Sequence, residues 1–258
     1  MNNVRIGTLI LGLAAAVLTV WTGATPTRAA GEEEGKIVHS VYFKLKDNSA
    51  AAQKKLVDAC QKYLTKHPGE VAYAAGPRAA AFTRDVNDKD FDVGLVIIFQ
   101  GKEAHDKYQT SDRHQKFIAE NRESLQSVRV FDARGAVSEE TPVAKPMTAA
   151  GNARQKTLVH NVFFSLKDNS PAAQKKLVDA CQKYLTKHDG ELYFAAGPRA
   201  TGFAGQFNDK DFDVGLYIVF KDKAAHDKYQ EDARHKQFIS ENRDNWKKVR
   251  VFDTDSHG

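Results

Sequence analysis

The stretch AAQKKLVDACQKYLTKH at residues 51–67 decides the fold, because it recurs unchanged at residues 172–188. NDKDFDVGL at residues 87–95 recurs in the same way at residues 208–216. A repeat of about 100 residues exceeds a solenoid unit of ~20 to 50 residues and is long enough to hold its own core. The chain therefore contains two tandem copies of one domain, and we expect these copies to form an intramolecular pair.

The segment that opens each copy alternates with a period of two. Apolar residues recur at every second position over Ile37–Leu45 and over Leu158–Leu166, which is typical of a strand. Ser49, and Ser170 followed by Pro171, then supply a helix N-cap, with proline suited to the first helical position. Each copy is predicted to begin with a strand and a helix.

The rest of each copy continues this alternation of elements. In the first copy we predict a second strand at Val71–Ala75, a third at Phe91–Phe99, a helical region from Lys102 to about Gln126 and a last strand at Val128–Asp132. This order predicts an α+β, ferredoxin-like fold with both helical regions on one face of an antiparallel sheet. The domains are placed at residues 36–133 and 157–254, joined by a linker at 134–156 that is rich in Ala, Thr, Pro and Gly.

The opposite face of each sheet is then left bare and apolar. The side chains expected there are Tyr42 and Phe163, Val96 and Tyr217, and Ile98 and Val219. A patch of this kind requires a covering partner, and the other copy is the obvious one, packed sheet against sheet. Whether the copies pair within one chain or swap between chains, and whether they assemble further into a homo-oligomer, stays open at this point.

Residues 1–30 have the pattern of a secretory signal peptide. One cation precedes an apolar run from Ile6 to Trp21, and Thr27-Arg28-Ala29-Ala30 offers small residues for cleavage. We expect an exported protein, periplasmic or secreted, that makes no membrane contact after cleavage. An uncleaved anchor is the alternative, although the run is shorter than the ~20 residues of a spanning helix.

Charge and cysteine content exclude some classes of protein. The formal charge of +5 falls to about +3 when Arg5 and Arg28 leave with the signal, and the lysines are interspersed with acids, so we expect no nucleic-acid partner.

Cys60 and Cys181 occupy the same apolar helix position in the two copies. Buried thiols are expected, with a disulfide between the copies or a reactive nucleophile as the alternatives.

Eight of the nine histidines are four positions seen twice. His67 and His188 follow a helix, where a cation favours the carbonyl-rich end, so we expect them to cap it. His105 and His226 each precede an aspartate on a helix and are expected on a solvated polar face.

His39 and His160 lie in register with apolar residues of the opening strand. They are therefore expected to be buried, and a buried histidine on an apolar strand is more often a satisfied core residue than a catalyst. A catalytic role is the alternative.

Tyr108 and His114 are the sharpest candidates for catalysis. Ser111 is expected to break the helical region as an N-cap, which places His114 in the first turn of the next helix. The helix dipole there disfavours imidazolium, and a neutral imidazole can act as a general base. The break also lets Tyr108 converge on His114, although both can equally fill the space between sheet and helix. The counterparts in the second copy are Tyr229, Asp232 and His235.

No motif for a metal, a haem or a nucleotide stands out. No two histidines lie four residues apart on one helix, and no haem-attachment motif occurs. The glycines of AAGPR follow a strand but open no phosphate-binding helix. We therefore expect no cofactor and no metal.

The motifs of both copies resemble those of the stress-responsive A/B barrel domain family. The shared features are an opening strand of the form His-x-Val-x-Phe, here HSVYF and HNVFF, and a Tyr six residues before a His with a Phe three residues beyond it. The latter are Tyr108, His114 and Phe117 in one copy and Tyr229, His235 and Phe238 in the other.

The resemblance implies a dimeric α+β barrel of two sheets face to face, here supplied by one chain. The family also includes a plant polyketide cyclase that promotes an aldol ring closure in a pocket between sheet and helices. By that likeness Tyr108 and Tyr229 polarise a carbonyl, His114 and His235 act as bases, and His39 and His160 support them.

Three functions are consistent with these features. The first is an exported protein that binds a small apolar molecule, or is associated with stress, without catalysis. The alternative is a cofactor-free cyclase, lyase or monooxygenase that uses the Tyr/His pair. The third is a purely structural protein of the envelope.

Overall fold

The computed structural model describes residues 35–135, 156–203 and 205–257. The first repeat contains β1 (Lys36–Leu45), α1 (Ala50–Tyr63), β2 (Glu70–Pro77), β3 (Val93–Phe99), α2 (Lys102–Thr110), α3 (Asp112–Asn121) and β4 (Leu125–Gly135). The second contains β5 (Lys156–Leu166), α4 (Pro171–Tyr184), β6 (Glu191–Pro198), β7 (Val214–Phe220), α5 (Lys223–Glu231), α6 (Ala233–Asn242) and β8 (Trp246–His257). The predicted signal peptide lies outside the described residues.

Each repeat forms one antiparallel sheet of four strands. The strand orders are β2-β3-β1-β4 and β6-β7-β5-β8, so the opening strand of each repeat is central. β1 pairs with β3 through Val41 and Leu95 and with β4 through Val41 and Val130. This topology confirms the predicted α+β, ferredoxin-like fold of both repeats.

Local capping explains where the helices begin. The hydroxyl of Ser49 accepts a hydrogen bond from the backbone N–H of Ala52, and Ser170 does the same for Ala173. The predicted break at Ser111 is confirmed, since its hydroxyl accepts from the backbone N–H of His114 and separates α2 from α3.

The last strand of each repeat is longer than the sequence pattern indicates. β4 continues to Gly135, which pairs with Lys36, and β8 continues to His257, which pairs with Lys156. Cross-strand hydrogen bonds therefore draw both ends of the predicted linker into the sheets, because residues 134, 135 and 156 are strand. Residues 136–155 lie outside the described part of the chain.

The two sheets pack face to face through their apolar surfaces. Phe131 of the first repeat stacks on Phe163 of the second with ring centroids 4.1 Å apart, and Tyr42 stacks on Phe252 at 4.0 Å. The side chains predicted to need a partner all lie in this shared core: Tyr42, Phe163, Val96, Tyr217, Ile98 and Val219. The repeats therefore pair with each other, as the bare sheet faces required.

Backbone contacts between the repeats join the sheet edges. Ala79 N–H donates to the carbonyl of Asp253, and Ala200 N–H donates to the carbonyl of Asp132. Gly76 approaches the partner strand so closely that an added Cβ would lie 1.8 Å from the carbonyl oxygen of Asp255. The glycine of the AAGPR motif is thus required by the closure of the barrel.

A second layer of core lies between each sheet and its helices. Cys60 and Cys181 are fully buried there as free thiols, which confirms the first interpretation of these positions. Burial raises the pKa of both thiols, so they are held in the unreactive protonated form. Among the described residues, no helix is both long enough and apolar enough to cross a membrane.

Candidate functional site

Tyr108 is the centre of a buried polar cluster between the first sheet and its helices. Its side chain is only 2% exposed and packs on Phe99 of β3 with ring centroids 5.0 Å apart. The rings of His114, His67 and His39 lie 4.7, 4.9 and 5.8 Å from the Tyr108 ring. Burial raises the pKa of Tyr108 far above its usual range, so the hydroxyl keeps its proton.

His114 lies in the first turn of α3 beside Tyr108 and has a defined tautomer. Its Nδ1 lies 3.0 Å from the carbonyl oxygen of Gln109. A carbonyl oxygen only accepts, so Nδ1 carries the proton and donates. Burial lowers the pKa of His114 to about 4. The neutral imidazole therefore presents an unprotonated Nε2, and burial is the main cause rather than the helix dipole expected from the sequence.

His39 on β1 pairs with a carboxylate that the sequence did not single out. Its Nδ1 donates a 2.7 Å hydrogen bond to Oδ1 of Asp132 on β4, its cross-strand partner. Burial alone would raise the pKa of Asp132, but His39, His105 and the amide of Asn208 outweigh it and hold the pKa below its ordinary value. Asp132 is therefore an ionised carboxylate, although the residue is buried and only 4% exposed.

The expectation that His105 and His226 face solvent is wrong. They are 3% and 1% exposed, respectively. Phe203 of the second repeat covers His105 of the first, with ring centroids 4.5 Å apart. Phe82 of the first repeat covers His226 of the second, with ring centroids 4.7 Å apart. Burial lowers the pKa of His105 to about 4 and that of His226 to about 3.

His67 and His188 cap helices, as predicted. His67 Nε2 donates to the carbonyl oxygen of Tyr63 at 2.9 Å, and His188 Nε2 donates to that of Tyr184 at 3.0 Å. His67 also closes one side of the cluster through its edge contact with Tyr108.

Each cluster is completed by the loop between the second and third strands of the other repeat. Asn208 Nδ2 donates to Asp132 Oδ2 at 2.5 Å, and Asn87 Nδ2 donates to Asp253 Oδ2 at 2.6 Å. The carboxylate of Asp132 is thus held by its own repeat through one oxygen and by the opposite repeat through the other. No single repeat contains a complete site.

The second repeat reproduces this arrangement. His160 Nδ1 donates to Asp253 Oδ1 at 2.6 Å, and His235 Nδ1 donates to the carbonyl oxygen of Gln230 at 3.1 Å. The rings of Tyr229 and His235 lie 4.5 Å apart. The predicted candidates therefore converge in both copies: His39, Tyr108 and His114, and His160, Tyr229 and His235.

The two sites differ in charge, and one difference comes from a residue of the opposite repeat. Arg84 of the first repeat donates to Gln230 Oε1 at 2.7 Å and so lies at the edge of the second site. Gly205 stands at the matching position beside the first site. The positive charge of Arg84 helps to lower the pKa of His235, after burial and alongside His160. The sites are alike in construction but not in charge.

Two further features could take a ligand. One ligand atom from each of His39, His105 and Asp132, and likewise from His160, His226 and Asp253, lies within 4.8 Å of the other two, a spacing that suits a metal ion. Separately, a groove of about 440 Å³ opens beside Leu177 and Trp246 on the second repeat, and Tyr229 is not among the residues that line it.

The residues missed from the sequence are Asp132, Asp253, Asn87 and Asn208. Both aspartates end the repeated VFD of the last strand, and both asparagines open the repeated NDKDFDVGL. The repetition was visible, but only the pairing of β1 with β4 and the crossing of the loops bring these side chains to the histidines.

The family model described as Stress Responsive A/B Barrel Domain matches the chain twice, over residues 37–134 and 158–256. No curated protein matches the sequence.

Three solved structures resemble most of the chain. One from Fusobacterium nucleatum, named as a proposed monooxygenase, has a TM-score of 0.64 at 12% identity and covers 87% of this chain and 93% of its own. One from Lactobacillus acidophilus with a similar name has a TM-score of 0.59 at 15% identity, covering 86% and 94%. An anthrone oxidase-like protein has a TM-score of 0.57 at 13% identity, covering 88% and 93%. At these identities the likeness shows a common fold.

Proposed function

We propose that this chain, which belongs to the stress responsive A/B barrel domain family, binds a small apolar molecule with a carbonyl or phenolic oxygen and moves a proton on it. The observation that carries this proposal is His114, a neutral, buried imidazole of fixed tautomer whose ring lies 4.7 Å from that of Tyr108. Burial of ionisable side chains lowers the stability of a protein. Packing alone therefore does not account for the buried histidines, tyrosine and aspartate of the cluster.

The roles follow from the protonation states. His114 Nε2 is the general base that takes a proton from a carbon next to the carbonyl. Tyr108, held protonated by burial, donates a hydrogen bond to the oxygen on which negative charge develops. The hydrogen bond between His39 and Asp132 fixes the orientation of these two side chains within the cluster. Tyr229, His235, His160 and Asp253 play the same parts in the second repeat.

Anthrone is a suitable probe, because loss of one C–H proton gives an anion that oxygen converts to anthraquinone and water. The fold is shared with proteins named as proposed monooxygenases and as anthrone oxidase-like. We expect turnover above the buffer rate, lowered by about 10² to 10⁴ in His114→Ala with His235→Ala. Tyr108→Phe with Tyr229→Phe should also lower it.

The matched control is Lys54→Ala with Lys175→Ala, two exposed lysines of α1 and α4. It should leave turnover unchanged. Equal turnover in the histidine and lysine variants would refute the acid–base proposal.

Binding without catalysis is the second candidate, and the groove beside Trp246 favours it. Its volume of about 440 Å³ falls within the ~300 to 1,000 Å³ of small-molecule sites. Native mass spectrometry of the protein purified from its own cells tests this candidate. A protein that is consistently empty, and that binds no member of an apolar ligand panel, would argue against it.

We further propose that the protein is exported, on the strength of the signal-like pattern of residues 1–30. Sequencing of the N-terminus of the protein from its own cells should show a mature chain that starts near Ala30. An intact Met1 in the cytosolic fraction would refute export.

A further inference from the structure

Two imidazoles and a carboxylate converge in each repeat from three separate elements. His39 lies on β1, His105 on α2 and Asp132 on β4, and all three are buried. One ligand atom from each lies within 4.8 Å of the other two. The second repeat has the same cluster, formed by His160, His226 and Asp253. We infer that each cluster is a binding site for a divalent transition metal of the iron and zinc class.

The interatomic distances suit one ion. Metal–ligand bonds of ~2.0 to 2.2 Å place neighbouring ligand atoms roughly 3 to 3.5 Å apart. Asp132 Oδ1 lies 2.7 Å from His39 Nδ1 and 3.9 Å from His105 Nε2, so these two separations bracket that range. The proton of His39 Nδ1 stands in the place of the cation. For His39 to bind the ion through Nδ1, the ring proton moves from Nδ1 to Nε2, and the side chains shift to bring the three ligand atoms to bonding distance.

The outer contacts orient His105 as a ligand. Its Nδ1 donates to Asp106 Oδ1 at 3.3 Å, which leaves the lone pair of Nε2 on the side of Asp132. A carboxylate on the far nitrogen is the usual partner of a metal-binding histidine. The amide of Gln109 now donates to Nε2 at 3.2 Å and would turn away when a metal binds. His226 has the same contacts with Asp227 and Gln230.

The opposite repeat supplies the rest of the shell. Asn208 holds the second oxygen of Asp132, which leaves Oδ1 to face the histidines. Phe203 lies over His105 and excludes water from that side. The site is therefore incomplete in a single repeat, and the metal should bind only the paired barrel.

The donor set selects the metal. Imidazole nitrogen with one carboxylate suits Fe²⁺, Co²⁺ and Zn²⁺, whereas Mg²⁺ and Ca²⁺ prefer oxygen ligands. Three protein ligands leave coordination positions open for another molecule. The inference does not depend on proton transfer by Tyr108 and His114, because binding is measured without a substrate.

Cobalt titration of metal-free protein, purified without a polyhistidine tag, tests the inference. We expect two equivalents of Co²⁺ per chain with a visible absorption band, and no competition from Mg²⁺ or Ca²⁺. His105→Gln should leave one equivalent, and His105→Gln with His226→Gln should leave none. His67→Gln with His188→Gln removes two other buried histidines and should retain both equivalents.

A milder variant covers the case in which the glutamine variants fail to fold. Asp106→Asn with Asp227→Asn changes two half-exposed carboxylates and should weaken Co²⁺ binding by about 10- to 100-fold while the barrel stays folded. Absence of stoichiometric Co²⁺ binding by the unaltered protein would overturn the inference. So would two equivalents retained in a folded His105→Gln, His226→Gln double variant, or unchanged affinity in the aspartate variant.

Discussion

The side-chain amide of Asn87 in the first repeat donates a 2.6 Å hydrogen bond to the carboxylate of Asp253 in the second. The other oxygen of Asp253 accepts from His160 of its own repeat. Each repeat therefore finishes the polar cluster of its neighbour, so that pairing of the sheets and construction of the sites are one event.

Asn87→Ala should lower the free energy of unfolding by about 1.5 to 3 kcal/mol, the usual cost of losing a buried hydrogen bond to a charged group. Urea denaturation followed by circular dichroism measures the change. Asn169→Ala, at an exposed position, is the matched control and should change stability by less than about 0.5 kcal/mol. Equal effects of the two substitutions would contradict the role given to Asn87.

Phe131→Ala should lower the free energy of unfolding by about 3 to 5 kcal/mol, because it opens a cavity between the two sheets where Phe131 stacks on Phe163. The same denaturation measurement applies. Phe207→Ala removes a phenylalanine that is 51% exposed and should cost far less. A small effect at Phe131 would mean that the sheets do not share one core.

The thiols of Cys60 and Cys181 should not react with Ellman's reagent in the native protein, because both side chains are fully buried and their pKa values are raised. After unfolding in guanidinium, two thiols per chain should react, one from each cysteine. Fast native reaction, or fewer than two thiols after unfolding without reductant, would point to an exposed or oxidised cysteine.

Stability should fall as the pH falls from about 6.5 towards 4. Burial lowers the folded-state pKa of His114 and His235 to about 4, while the unfolded chain takes up protons near 6.5. The unfolded state therefore binds more protons within this window, and acid favours unfolding by up to about 3 kcal/mol per histidine. Above pH 6.5 both states are neutral and the effect vanishes.

Urea denaturation at pH 8, 6 and 5 in the presence of a chelator measures this dependence. His114→Gln with His235→Gln removes two of the titrating groups, so its stability should vary less with pH than that of the unaltered protein. An identical pH dependence in the two proteins would show that these histidines are not neutral in the folded state.

Arg84→Gly should raise the pKa of His235, because loss of a nearby positive charge makes protonation easier. Proton NMR titration of the histidine ring signals measures the shift. His114 is the internal control and should keep its pKa, because Gly205 stands at the position that matches Arg84. An unchanged His235, or equal shifts at both histidines, would contradict the proposed difference between the sites.

Much of the fold could be predicted from local patterns. The period of two in Ile37–Leu45, the N-caps at Ser49 and Ser111 and the burial of Cys60 all depend on residues close in sequence, so the chain displays them directly. The bare sheet face could also be predicted, since side chains alternate across a strand whatever lies beyond it.

The site was predictable only where it depended on one element or its immediate neighbour. The convergence of Tyr108 and His114 follows from a break between two consecutive helices, α2 and α3, so it could be predicted. His105 could not be placed, because the ring that buries it, Phe203, belongs to the other repeat. A helix pattern records polarity along one chain segment and carries no information about what a distant loop covers.

By itself the sequence determined the duplication, the order of strands and helices and the need of each sheet for a partner, because these are set by short-range periodicity and by the repetition of the chain. Only the tertiary structure decided the composition of the sites. Asp132 meets His39 through cross-strand pairing, and Asn208 reaches Asp132 across the barrel, because contacts between residues far apart in sequence exist only once the two sheets have closed on each other.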